Sequence, residues 1–174
     1  WLTGLDWIIV DLEHGPIDLG SAHGMITATT GTPCVPLVRI ADRRLAGAEA
    51  LLRWDHRQHG AVAPGLFVRL AEETGLILPL GRLALTTACR DAAGWRGRLA
   101  GLPVSVNVSL AQFASQDFPA EVRQVLRQTG LPPSRLVLEI TETVLMLDQR
   151  RAVAVLEELR ELGVRLAIDD FGTG

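Results

Sequence analysis

From Ala46 to Asp170 short apolar runs alternate with stretches of helical period, and this order limits the fold more than any other feature. "AGAEALLRW" (Ala46–Trp54), "PVSVNVS" (Pro103–Ser109), "RLVLEIT" (Arg135–Thr141) and "VRLAIDD" (Val164–Asp170) have the length and side-chain content of strands. Between them, apolar or small residues recur three and four apart: Leu80, Leu83, Ala84, Thr87 and Ala88; then Val122, Val125 and Leu126; then Ala152, Val155, Leu156 and Leu159. Pro64 opens a further helix that Gly75 closes. Strands separated by helices predict an α/β fold with a parallel sheet, either a closed (β/α) barrel or a doubly wound sheet.

The front of the chain reads differently. "LDWIIVD" (Leu5–Asp11) is a buried-strand run, Asp18 to about Thr30 a helix stopped by Gly31, and "CVPLVRI" (Cys34–Ile40) a second strand weakened by Pro36. The helix between those two strands allows them to be parallel. Only "ADRRL" joins Cys34–Ile40 to Ala46–Trp54. Five residues are too few for a parallel crossover, so these two strands are expected as an antiparallel hairpin, with Arg39 roughly 10 Å or more from Glu49.

Composition excludes several classes. Hydrophobic residues are 48% and charged residues 21% of 174, the balance of a globular chain. A net charge of −3 lacks the basic face of a protein that binds nucleic-acid polymers. No apolar run approaches the roughly 20 residues of a membrane span, and Asp6, Asp11 and Glu13 interrupt anything like a signal peptide. Cys34 and Cys89 form no disulfide framework, which points to the cytoplasm and to small buried thiols. All 17 basic residues are arginine. The chain opens on Trp1 and closes inside "IDDFGTG", so it is expected to be a fragment of something longer.

Each of the four strands from Ala46 onward carries an oxygen-bearing side chain: Glu49, Asn107, Glu139 and the pair Asp169–Asp170. By period two, Glu49, Leu51 and Arg53 share a face, and Asn107 points away from Val104, Val106 and Val108. A buried acid is costly unless compensated, and four strands repeating it suggest a common partner. Carboxylates with an amide oxygen suit a hard cation, Mg²⁺ or Mn²⁺. Adjacent aspartates could serve two ions, as in two-metal phosphoryl chemistry. Glu49, Asn107, Glu139 and Asp169 are therefore expected to converge near one barrel mouth.

"GAEALLRW", "VNVS", "LEITET" and "IDDFGTG" stand in the order found in EAL-domain cyclic-di-GMP phosphodiesterases, which the chain resembles from about residue 41 to 174. The resemblance implies a TIM-type (β/α) barrel, here partial and ending after its fifth strand, with an antiparallel strand leading in. It implies metal ligation by Glu49, Asn107, Glu139 and Asp169, with Asp170 on a second ion. It makes Leu51 and Arg53 substrate contacts, with Arg53 on a phosphate. Glu142 resembles the glutamate that holds the loop after "DDFG", and two copies would pair through that loop. The reaction implied is hydrolysis of one phosphodiester of cyclic-di-GMP by a metal-activated water. Family members also use a lysine from later strands, and these 174 residues contain none, so impaired turnover is expected.

Residues 1–40 are expected to form a separate β-α-β segment. "GLDWIIVDLEHGPIDLG" and "TPCVPLVRI" resemble the HpcH/HpaI class II aldolases. That resemblance makes Asp11 and His14 active-site residues and Arg39 a keto-acid contact, giving an aldolase remnant as an alternative function. A non-catalytic module binding cyclic-di-GMP is the third reading. The join near "VRI/ADRRLAG" implies a chimera, natural, designed or artefactual.

Overall fold

A computed structural model describes Trp7–Ile8, Leu37–Ala41 and residues 44–141 and 149–169, with side chains from 47 to 141 and from 151 to 167. Its strands are β1 (Trp7–Ile8), β2 (Leu37–Ala41), β3 (Arg44–Ala50), β4 (Leu52–His56), β5 (Gly60–Val62), β6 (Val104–Val108), β7 (Leu136–Thr141) and β8 (Arg165–Asp169). Its helices are α1 (Pro64–Thr74), α2 (Ile77–Gly94), α3 (Leu110–Phe113), α4 (Phe118–Thr129) and α5 (Gln149–Glu161). Five strands form one sheet in the order β2-β3-β6-β7-β8, parallel from β3 to β8, and β1, β4 and β5 form a smaller one. The parallel α/β architecture expected from the strand–helix order is present.

The valines of β6 show how sequence sets the layers. Val104, Val106 and Val108 are buried while Asn107 between them is exposed. With Leu136, Leu138 and Ile140 of β7 they meet Leu85, Ala88 and Cys89 of α2, Val122 and Val125 of α4, and Val155 and Leu159 of α5 in one continuous core. The helices thus cover one face of the sheet and leave the other to its polar row. Cys89 is fully enclosed, and burial pushes its thiol up to about 12. Arg135, just before β7, ties the layers at one end. Its Nε donates to the carbonyl of Leu102 and its Nη2 to that of Ala92, both at 2.9 Å, while the guanidinium lies 5.8 Å from the Trp95 ring centre.

α1 ends as its sequence dictates. Gly75 takes φ 75°, a left-handed value that favours glycine, and its N–H reaches the carbonyl of Glu72. On α2 the stripe lies slightly off the expected one: Leu85 is buried, whereas Leu83 is 39% exposed.

β2 and β3 are antiparallel, as the short link requires. Their register pairs Leu37 with Glu49 and Arg39 with Gly47, and it shifts after Arg39. Arg39 therefore stands two residues below the level of Glu49, about 7 Å along the strand direction and one strand across. The link is also shorter than "ADRRL", because both strands extend into it.

Two expectations fail. Trp7–Ile8 does not run parallel beside β2; it pairs antiparallel with β4, Trp7 opposite Arg53 and Ile8 opposite Leu52. A two-residue pairing across more than 40 positions leaves no local periodic signal. Ala46–Trp54 is not one strand either. The chain breaks at Leu51, passing from the large sheet in β3 to the small one in β4. The helix expected over 18–30 lies outside the described residues.

Candidate functional site

The ladder register places the four strand positions relative to one another. Glu49 on β3 is level with Ser105 on β6, Asn107 with Glu139 on β7, and Thr141 with Asp169 on β8. From Glu49 to Asn107 the offset is two residues, from Asn107 to Glu139 none, and from Glu139 to Asp169 two. Ladder partners share a face, and so do residues two apart on a strand. Every offset is even, so positions 49, 107, 139 and 169 lie on one side of the sheet, opposite the helices.

Side chains on that face meet. Asn107 Nδ2 donates to Glu49 Oε1 at 2.9 Å. This orientation leaves the amide oxygen of Asn107 outside that bond. Glu139, one strand further, is 7% exposed, and a carboxylate so enclosed needs hydrogen bonds or a cation to offset its lost hydration. Two carboxylates and an amide oxygen on adjoining strands form the hard donor set that Mg²⁺ and Mn²⁺ take. Among the described residues no three His, Cys, Asp or Glu side chains cluster. The set present is two acids plus an amide, and the side chain of Asp169 is not described. Asp170, Glu142 and the loop after Asp170 also lie outside the described residues.

The remaining predicted residues do not all join this face. Leu51 sits at the break between β3 and β4 and packs against the main core. Arg53 belongs to the small sheet, where its Nη1 donates to the carbonyl of Leu52 at 3.0 Å. Glu49 and Arg53 thus belong to strands of different sheets, and period two along a single strand does not relate their sides. Of the aldolase-like residues, Asp11 and His14 lie outside the described residues, and Arg39 is in β2 opposite Gly47.

Sequence reasoning missed Ser109 and Gln112, which follow Asn107 on the same strand exit. Ser109 caps α3: the Gln112 N–H donates to Ser109 Oγ at 3.3 Å, while Ser109 N–H and Oγ donate to Gln112 Oε1 at 3.2 and 3.0 Å. A signal exists for them, since Ser-x-x-Gln after a strand is a capping-box spacing.

No helix among the described residues is long and apolar enough to cross a membrane. Residues 35–174 match the EAL domain family, which includes residues 35–40 ahead of the expected join. An uncharacterized signaling protein of Caulobacter vibrioides is 49% identical over 139 residues, 80% of this chain and 17% of that protein. The bifunctional diguanylate cyclase/cyclic di-GMP phosphodiesterase MucR of Pseudomonas aeruginosa is 44% identical over 140 residues, 80% of this chain and 20% of that protein. A solved structure of the MucR phosphodiesterase in complex with c-di-GMP superposes with a TM-score of 0.72 at 46% identity, covering 75% of this chain and 53% of that one. The chain thus spans about a fifth of those curated relatives and about half of the solved domain. The chain belongs to the EAL-domain family.

Proposed function

We propose that this chain supplies the Glu49-to-Asp169 part of a cyclic-di-GMP phosphodiesterase site built on a partial (β/α) barrel. Glu49, Asn107, Glu139 and Asp169 would hold Mg²⁺ or Mn²⁺, Asp170 would serve a second ion, and Glu142 would hold the loop after them. Leu51 and Arg53 would meet the substrate, with Arg53 on a phosphate. When bound, the cation supplies charge neutralisation and lowers the pKa of a water.

The row of four positions carries the reading. From Glu49 to Asp169 the row climbs four residues over three strand spacings. At about 3.3 Å per residue and 4.8 Å per spacing, it slopes about 40° to the perpendicular across the strands. Strands of closed barrels tilt by about 35–45° to the axis. In such a barrel this slope brings the four positions to one height, where a single ion can reach them. The acids then orient the ion, and Asn107 holds Glu49 in place by its amide hydrogens.

Mn²⁺ binding followed by electron paramagnetic resonance tests this. Glu49→Gln and Glu139→Gln should each weaken binding tenfold or more, whereas Ser105→Ala, on the same face but off the row, should not. Cyclic-di-GMP binding should need the metal. Turnover should stay below about 1 s⁻¹, since none of these 174 residues is a lysine. Mn²⁺ affinity unchanged in both glutamine variants would overturn the reading.

A further inference from the structure

We propose that Gln112, seated against Gly81, is a positioning residue for Asn107 and through it for Glu49. Gln112 is 5% exposed although it lies in the short helix α3 on the strand exit. Its Oε1 accepts two hydrogen bonds from Ser109, one from the backbone N–H and one from the hydroxyl. The peptide leaving β6 is therefore fixed at Ser109, two residues after Asn107, by the side chain of Gln112. On the other side, Asn107 donates to Glu49 at 2.9 Å. A continuous path runs from α2 through Gln112, Ser109 and the end of β6 to the donor row.

Gly81 makes the path possible. A methyl group at position 81 would lie 2.2 Å from Cδ, Nε2 and Oε1 of Gln112 alike. The glutamine amide occupies the space a side chain would fill, so α2 itself acts as the wall that sets the amide's position. This is more than helix capping needs. A serine cap works on an exposed α3, but here the cap's partner Gln112 is buried and braced from a separate helix, beside the strand that carries Asn107.

The proposal rests on the metal reading above for its functional consequence, and its geometry is tested apart from it. In the full 174-residue chain, Gln112→Met keeps the bulk and removes the acceptor, Gln112→Glu keeps the acceptor, and Gly81→Ala displaces the amide. The first readout is the Asn107 side-chain amide signal in ¹⁵N-correlated NMR, with its hydrogen-exchange rate. Gln112→Met and Gly81→Ala should shift it and speed exchange, and Gln112→Glu should restore it, with circular dichroism showing a folded chain in each case. The second readout is Mn²⁺ affinity, expected to fall about 10–100-fold in Gln112→Met and to recover in Gln112→Glu. An Asn107 signal unchanged in folded Gln112→Met overturns the positioning role. If Gln112→Met or Gly81→Ala does not fold, an unrestored Asn107 signal in folded Gln112→Glu overturns it. A moved Asn107 signal with Mn²⁺ affinity insensitive to Glu49→Gln supports the positioning role and overturns the metal reading instead.

Discussion

Glu49 and Arg53 are four residues apart, yet they stand on different bodies. Glu49 lies on the five-stranded sheet, whose core encloses 23 buried residues among those described. Arg53 lies on β4, in a small sheet backed by a cluster of four: Phe67, Ala71, Ile77 and Leu80. Trp54 packs edge-on against Phe67 there, with ring centres 6.0 Å apart. Burial scales with enclosed apolar surface, so the large body should hold its shape through fluctuations that open the small one. Under the proposed function, the metal donors would sit on the firmer body and the phosphate contact on the softer one, a division that allows the two kinds of binding to be separated.

The strongest way to break this contrast is to cut each core in turn. Leu138→Ala, at a site with no exposure, should lower global stability by about 3 kcal/mol, measured by urea unfolding. Phe67→Ala should lower the global midpoint by less and instead speed amide exchange in β4, β5 and α1. Equal global losses would show that the two bodies unfold as one. Next in size is Arg53→Ala, expected to weaken cyclic-di-GMP binding by about 2 kcal/mol, the scale of a hydrogen bond to a charged group. Mn²⁺ affinity should stay unchanged, and a parallel loss of metal binding would join what the contrast separates. The smallest effect concerns Cys89, in the large core. Its thiol ordinarily titrates at 9.0 and in the fold at about 12. Between those values the unfolded chain has released a proton that the folded one retains. Stability is therefore whole below pH 9 and falls as pH rises toward 12, by about 1 kcal/mol at pH 10. Cys89→Ala should flatten that decline, and native Cys89 should resist iodoacetamide until urea opens the core.

Much of the large body is legible in the order of residues alone. The alternation in "PVSVNVS" separates buried valines from exposed Asn107 because each strand residue reports its own side. The antiparallel β2–β3 pairing follows from a link too short for any other connection. What escapes is information that no local pattern holds. Period two runs on smoothly through Leu51, and nothing in it marks a transfer between sheets. The partner of Trp7–Ile8 is fixed by distant packing. Gly81 reads as a weak spot in a helix until Gln112 is seen in the space its missing side chain leaves.

The even offsets among Glu49, Asn107, Glu139 and Asp169 set a rule for how the chain can change length. The sheet has, in effect, a reading frame of two. One residue inserted at the start of β6 would send the valines to the polar side and Asn107 toward the helices, disrupting the core and the polar row together. Inserting two would restore the sides but raise Asn107 by about 7 Å and part it from Glu49. A change of length in the turns between elements leaves these sides as they are, whereas a single-residue change of length within β3, β6, β7 or β8 does not.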